Sequence, residues 1–182
     1  MFINGRYEGL FDLREREGPS LIESNLGCDN DNVDFMKDDR FVADDPSSPE
    51  GHARYIAARD FVVNNDMTVP ANYAQALQLF NVDSLAHDWA LSFFVGNIDW
   101  PWHNQHIWRS PEFDGRWNWR PHDLDFAFGL PQGLAPNPPF DGSAPRIEDN
   151  LYPLLGGIGS EIINSLLRNP TFRDRFINVV AD

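Results

Sequence analysis

The chain has 182 residues, 42% hydrophobic and 23% charged, enough for one folded domain with a core or two small lobes around a cleft. Its 28 acidic and 14 basic residues give a net charge of −14, which disfavours nucleic acid and anionic lipid and favours a cation or a neutral or basic partner. A single cysteine, Cys28, excludes an internal disulfide, and no apolar run approaches the roughly 18 residues of a membrane span.

Residues 2–14 read as a β-hairpin. Asn4-Gly5 suits the two positive-φ positions of a type I′ turn, and Tyr7, Gly9, Phe11 and Leu13 then alternate with Glu8, Leu10, Asp12 and Arg14. Residues 17–50, rich in Asp and Asn, read as loop. A helix is predicted over 51–64, with Tyr55, Ile56, Ala58 and Phe61 at helical spacing. A second starts near Pro70 and carries Tyr73, Ala76, Leu77 and Phe80. A third is expected from an Asp83 cap through Leu85, Trp89, Phe93 and Phe94 to a stop at Gly96, with an apolar face broad enough for a central core helix. Residues 105–109 and 116–120 predict a pair of strands around a turn at 111–115. Residues 131–149 read as surface loop, and two helices at 159–168 and 170–180 are divided by Pro170. The start in a hairpin and the end in a helix imply further sequence on both sides.

Chemistry concentrates between Asn97 and Gly129. A polar loop, Asn97-Ile98-Asp99-Trp100-Pro101-Trp102-His103-Asn104, precedes the predicted strand pair, and Asp123-Leu124-Asp125-Phe126-Ala127-Phe128-Gly129 follows it. A short hairpin holds its two flanking loops together, so Asp99, Asn104, Asp123 and Asp125 are expected near one another. Their oxygens suit hard cations such as Mg²⁺ or Mn²⁺. Protein kinases use the same order: a catalytic-loop Asp, a metal-binding Asn five residues on, then a metal-binding Asp after a short strand pair. Asp99 and Asn104 are five apart, whereas Asp125-Phe126-Ala127-Phe128-Gly129 is looser than Asp-Phe-Gly. The competing reading is that these residues cap helices and make turns.

The run Val82-Asp83-Ser84-Leu85-Ala86-His87-Asp88-Trp89-Ala90-Leu91, followed by Asn97-x-Asp99, Asn104, Trp117, Pro121-x-Asp123-x-Asp125 and Gly129, resembles the core of the CotH (spore coat protein H) kinase family. Phe2-Ile3-Asn4-Gly5-x-Tyr7-x-Gly9-x-Phe11-x-Leu13-x-Glu15 resembles that family's small-lobe hairpin, so nearly the whole chain is covered. His122 stands where the family usually has Trp, and Phe11 where Tyr is commoner.

The resemblance implies an α+β, atypical protein-kinase-like fold within a single domain truncated at both ends. Residues 1–50 would be the remnant of a small β lobe, and 51–182 a mainly helical large lobe carrying the catalytic hairpin. It implies an ATP-dependent Ser/Thr phosphotransferase using Mg²⁺ or Mn²⁺, acting on a Ser/Thr-rich coat or surface protein, exported or in a spore coat. Asp99 would be the catalytic aspartate, Asn104, Asp123 and Asp125 the metal set, and Trp117 and Glu15 the nucleotide contacts. Strands with the phosphate-holding Arg and Lys would precede Met1. The alternative is an inactive kinase-like module serving as a scaffold or carbohydrate binder.

Other residues have two readings each. His103, His106 and His122 suggest zinc, or hydrogen-bonded surface histidines. Asp29, Asp31 and Asp34 with Asn30 and Asn32 resemble a calcium loop, but Asp34 and Arg40 stand where an EF-hand has Gly and Glu, so a solvated loop competes. Trp100, Trp102, Trp117 and Trp119 could form a sugar platform or a small core beneath the catalytic loop. Cys28 reads as non-catalytic.

Overall fold

The computed structural model describes residues 2–7, 9, 17–37, 49–97, 100–101, 103–124, 127 and 159–181. It mixes helices with small antiparallel sheets, as an α+β chain does. Strands β1 (Phe2–Ile3) and β2 (Arg6–Tyr7) pair in register Phe2↔Tyr7. Asn4 and Gly5 take φ of 51° and 82°, so the Asn-Gly turn forms as its chemistry predicts. The rest of the expected hairpin, Gly9 apart, lies outside the described residues.

The predicted loop at 17–50 contains regular structure. Helix α1 (Pro19–Leu26) starts with proline in its first turn and ends at Gly27 in the left-handed region. A 3₁₀ turn (Asn30–Asn32) is capped by the Asp29 carboxylate, which accepts from the Asp31 amide at 3.0 Å. Strand β3 (Asp34–Lys37) follows. Asp34 is no solvated loop residue: its side chain is buried between Arg54 and Arg109.

The predicted helices appear as α2 (Pro49–Asn64), α3 (Pro70–Leu79) and α4 (Val82–Val95). The α4 cap is Asn81, whose side chain accepts from the amides of Asp83 and Ser84; Asp83 lies one step inside, in the first turn. An Asn side chain caps at least as well as Asp, and a carboxylate inside the first turn still meets the positive helix end. Gly96 closes α4 in a Schellman arrangement, with Gly96 N donating to Phe93 O and Asn97 N to Ser92 O. Strands β4 (Gln105–Arg109) and β5 (Asn118–Pro121) pair as predicted, β5 starting two residues later than expected. Helices α5 (Glu161–Leu166) and α6 (Pro170–Ala181) complete the described chain.

The second sheet has order β3-β4-β5, all antiparallel. Both faces are covered. Met36, Ile107 and Trp119 join the main core with Tyr55, Leu85, Trp89, Trp117, Ile163 and Phe172. Phe35 and Trp108, directly paired, face a smaller cluster with Ile22, Cys28 and Val33. A strand buried on both faces shows no polar alternation, which is why β3 is hidden in the sequence. It also joins residues 34–37 to the sheet of the chain's later half.

Candidate functional site

The loop after α4 is held from below. Trp100 is 1% exposed and sits edge-on against Trp89, with ring centroids 4.2 Å apart. Gln105, buried at the start of β4, donates to the carbonyls of Pro101 at 2.9 Å and Gly159 at 3.1 Å. The amide thus ties the loop to the approach of α5. Beside Trp100 lies Asp88, on the buried face of α4. Its Oδ2 and the Trp100 Nε1 both lack a well-formed hydrogen bond among the described residues. Burial, opposed by the indole N–H of Trp100, pushes the Asp88 carboxyl up to about 7.

The hairpin above is anchored to the α3–α4 junction. Trp117 N donates to Leu79 O and Asn81 N to Trp117 O, both at 2.9 Å. The Trp119 amide donates to Ser84 Oγ at 3.0 Å, and Asn81 Nδ2 to Asn118 Oδ1 at 2.8 Å. These bonds fix where β5 delivers the residues after it.

Gln105 pairs with Pro121 at the end of the hairpin, so Asn104 and Asp123 leave it at the same end. Asn104 is half-buried and Asp123 exposed. Their φ values, 63° and 48°, put both in the left-handed region. Among the described residues only Asn4, in its turn, shares this among non-glycines. Such backbone is disfavoured by the side chain and gathers where a site dictates direction. Two oxygen-bearing residues leaving one hairpin end offer donors of the kind a hard cation takes.

Asp99, Asp125 and Glu15 lie outside the described residues. Trp117 is 2% exposed, packed edge-on against Tyr55 at 5.2 Å in the main core. A nucleotide base could stack on it only by displacing that packing. Trp100 and Trp119 are also buried, so the tryptophan cluster takes the core reading; Trp102 lies outside the described residues.

The histidines regroup. His103 is exposed and does not join the cluster formed by the other two. His106 and His122 stack with centroids 3.7 Å apart, and Glu17 joins them. Burial first, then His122 and Lys37, pushes His106 down to about 3, so its ring is neutral at ordinary pH. Arg120 pairs with Glu17 and approaches His106 Nδ1 at 3.3 Å. Glu17 gives no local signal; the β4–β5 register, which sets His106 opposite Arg120, would have gathered the rest. Glu17 also lines an open polar cleft of about 660 Å³ with Asp31, Asp34, Arg54 and Arg109, which neither Asn104 nor Asp123 lines.

A family model described as CotH kinase protein matches residues 1–182. No curated protein and no solved structure matches the chain.

Proposed function

The chain belongs to the CotH kinase protein family, and from that membership we propose that it is an atypical protein kinase passing the γ-phosphoryl group of ATP to a Ser or Thr hydroxyl. The observation that carries this reading is the delivery of Asn104 and Asp123, both in left-handed backbone, to one end of the β4–β5 hairpin. The family relation makes the chain kinase-like; the finer assignments are ours.

Asn104 and Asp123, with Asp125, supply hard oxygen donors that fit Mg²⁺ or Mn²⁺. Bound there, the ion would neutralise phosphate charge as the phosphoryl group moves. Asp99 accepts the hydrogen bond of the substrate hydroxyl and aims its oxygen at phosphorus. Trp100, wedged against Trp89, and Gln105, bonded to Pro101 and Gly159, hold that loop still. Catalysis of this kind is positioning plus electrostatics, so a rigid loop is what it needs. Glu15 completes the proposal as a nucleotide contact, Trp117 supports the hairpin from the core instead of stacking on a base, and the substrate is a Ser/Thr-rich coat or surface protein at a spore coat or cell surface.

The test is transfer of label from γ-radiolabelled ATP to a Ser-rich polypeptide with Mn²⁺. Asp99→Ala and Asp123→Ala should each abolish it; undiminished transfer by either overturns that assignment. One observation favours a second reading, an inactive scaffold. Arg54, Arg109, Arg116 and Arg120 are all paired with carboxylates, which leaves phosphate-holding cations to come from elsewhere. Thermal stabilisation by ATP with Mn²⁺ supports the kinase, and its absence supports the scaffold.

A further inference from the structure

We propose that Glu17, His106 and His122 form a binding site for a borderline transition-metal cation of the Zn²⁺ type, centred where the Arg120 guanidinium now stands. It uses different side chains from the oxygen-donor set at Asn104 and Asp123 and does not depend on the kinase reading.

One ligand atom from each of the three residues lies within 4.8 Å of the others. Glu17 Oε2 is 3.5 Å from His106 Nδ1, and Glu17 Oε1 is 3.7 Å from His122 Nδ1. Ligands bonded tetrahedrally to zinc at about 2.0–2.1 Å are themselves roughly 3.3–3.5 Å apart, so the carboxylate-to-imidazole spacings already match, and rotation of the partly exposed His122 ring would bring both in-plane lone pairs onto one ion. The two rings are nearly parallel, with an interplanar angle of 14°, and turn their Nδ1 atoms toward the same carboxylate.

A guanidinium only donates, so the 3.3 Å contact of Arg120 with His106 Nδ1 is satisfied by the tautomer that keeps a lone pair on Nδ1, the form a metal would need. His106 is 1% exposed, which fixes its ring, while the side chains of Glu17, His122 and Arg120 are about a quarter exposed. Binding would require Arg120 to release Glu17 and turn toward the solvent it already partly meets. Glu17 borders the open cleft, which gives an ion a way in. Arg120 neutralises the Glu17 carboxylate, and a metal ion would replace its hydrogen bonds with direct bonds to the carboxylate and both imidazoles. Two imidazoles with one carboxylate select Zn²⁺, Co²⁺ or Cu²⁺ over Mg²⁺, which prefers oxygen.

The experiment is a Zn²⁺ titration of the chelator-treated chain with excess Mg²⁺ present, alongside the visible spectrum of the Co²⁺-loaded protein. One equivalent of Zn²⁺ should bind, and Co²⁺ should show the intense bands of a low-coordinate nitrogen-bearing site. Glu17→Gln and His122→Ala should each weaken binding about tenfold or more. Arg120→Met should strengthen it, and His103→Ala should leave it unchanged. Circular dichroism of each metal-free variant shows that loss of binding is not loss of fold. The partly exposed position of His122 keeps that substitution tolerable where one at buried His106 is not. Absence of stoichiometric Zn²⁺ binding overturns the proposal. So does binding that survives both Glu17→Gln and His122→Ala, or that is lost with Asp123→Asn instead.

Discussion

Gly159 lies directly against Pro101: a Cβ on Gly159 would stand 2.5 Å from the Pro101 carbonyl oxygen and 3.1 Å from Gln105 Nε2. Its φ of 87° independently disfavours any side chain. Gly159→Ala must therefore push the approach of α5 away from Pro101. A loss of about 2 kcal/mol or more is expected, read as a lower melting temperature. Gly18→Ala, also at positive φ but with open space within 4 Å of where its Cβ would stand, should cost less.

Arg54 grips Asp34 through two bonds, at 2.6 and 3.1 Å, and Arg109 adds a third contact at 3.4 Å. Removing the acid strands two cations, whereas removing one arginine leaves the acid paired. Asp34→Ala should cost about 2–3 kcal/mol and Arg54→Ala about 1 kcal/mol, because Arg54 is half-exposed and partly screened. Urea denaturation of both singles and the double variant should be non-additive. Additive losses would mean the pair does not couple.

Asp88 makes stability depend on pH. Its folded carboxyl titrates near 7 against an ordinary 3.8, so the folded state holds a proton that the unfolded chain releases. The stabilising effect is full below about pH 4 and declines as pH rises through 7, by about 1.4 kcal/mol per unit across that window. Between about pH 4 and 6.5 His106, pushed down to about 3, contributes the opposite slope, so Asp88→Asn should convert a nearly flat parent profile into one that rises with pH, and exceed the parent in stability at pH 8. Urea midpoints from pH 4 to 8 check it, and an unchanged slope in the variant would assign the effect to another group.

Asn104 and Asp123 hold backbone that glycine adopts freely. Asn104→Gly and Asp123→Gly remove the oxygen donors of the proposed metal set without adding strain. Each should leave melting unchanged or raise it slightly, while metal-dependent phosphoryl transfer falls roughly a hundredfold or more. A parallel drop in melting temperature would show that these side chains are structural.

Local rules carried much of the fold. Asn4-Gly5 announced its turn, Gly96 its helix end, and the spacing of Tyr55, Ala58 and the α4 apolar residues their helices. The paired ends of β4 and β5 set Asn104 and Asp123 at one end of the hairpin, while Asp99 and Asp125, expected beside them, lie outside the described residues. What escaped was long-range. Asp34-Phe35-Met36-Lys37 looks like loop because its acid is satisfied by Arg54 and Arg109, and because its apolar pair faces two different cores. Glu17 could not be grouped with His106 and His122, since no periodicity links residues so far apart. Asn81 took the cap from Asp83 through a difference of two positions that sequence signals do not resolve.

The placement of β4 between β3 and β5 also has a temporal side. Asp34 meets Arg109 across 75 residues of chain, so β3 emerges from the ribosome long before its pairing partner exists. At about 5–20 residues per second the wait is roughly 4–15 s. Throughout it, Phe35 and Met36 stand unpaired beside a vacant strand edge, a short apolar segment of the kind that chaperones hold and that neighbouring nascent chains can capture. Synthesis of this protein at high yield should therefore be more sensitive to translation speed and chaperone supply than its helical content suggests, and slowing translation between β3 and β4 should lower the soluble fraction.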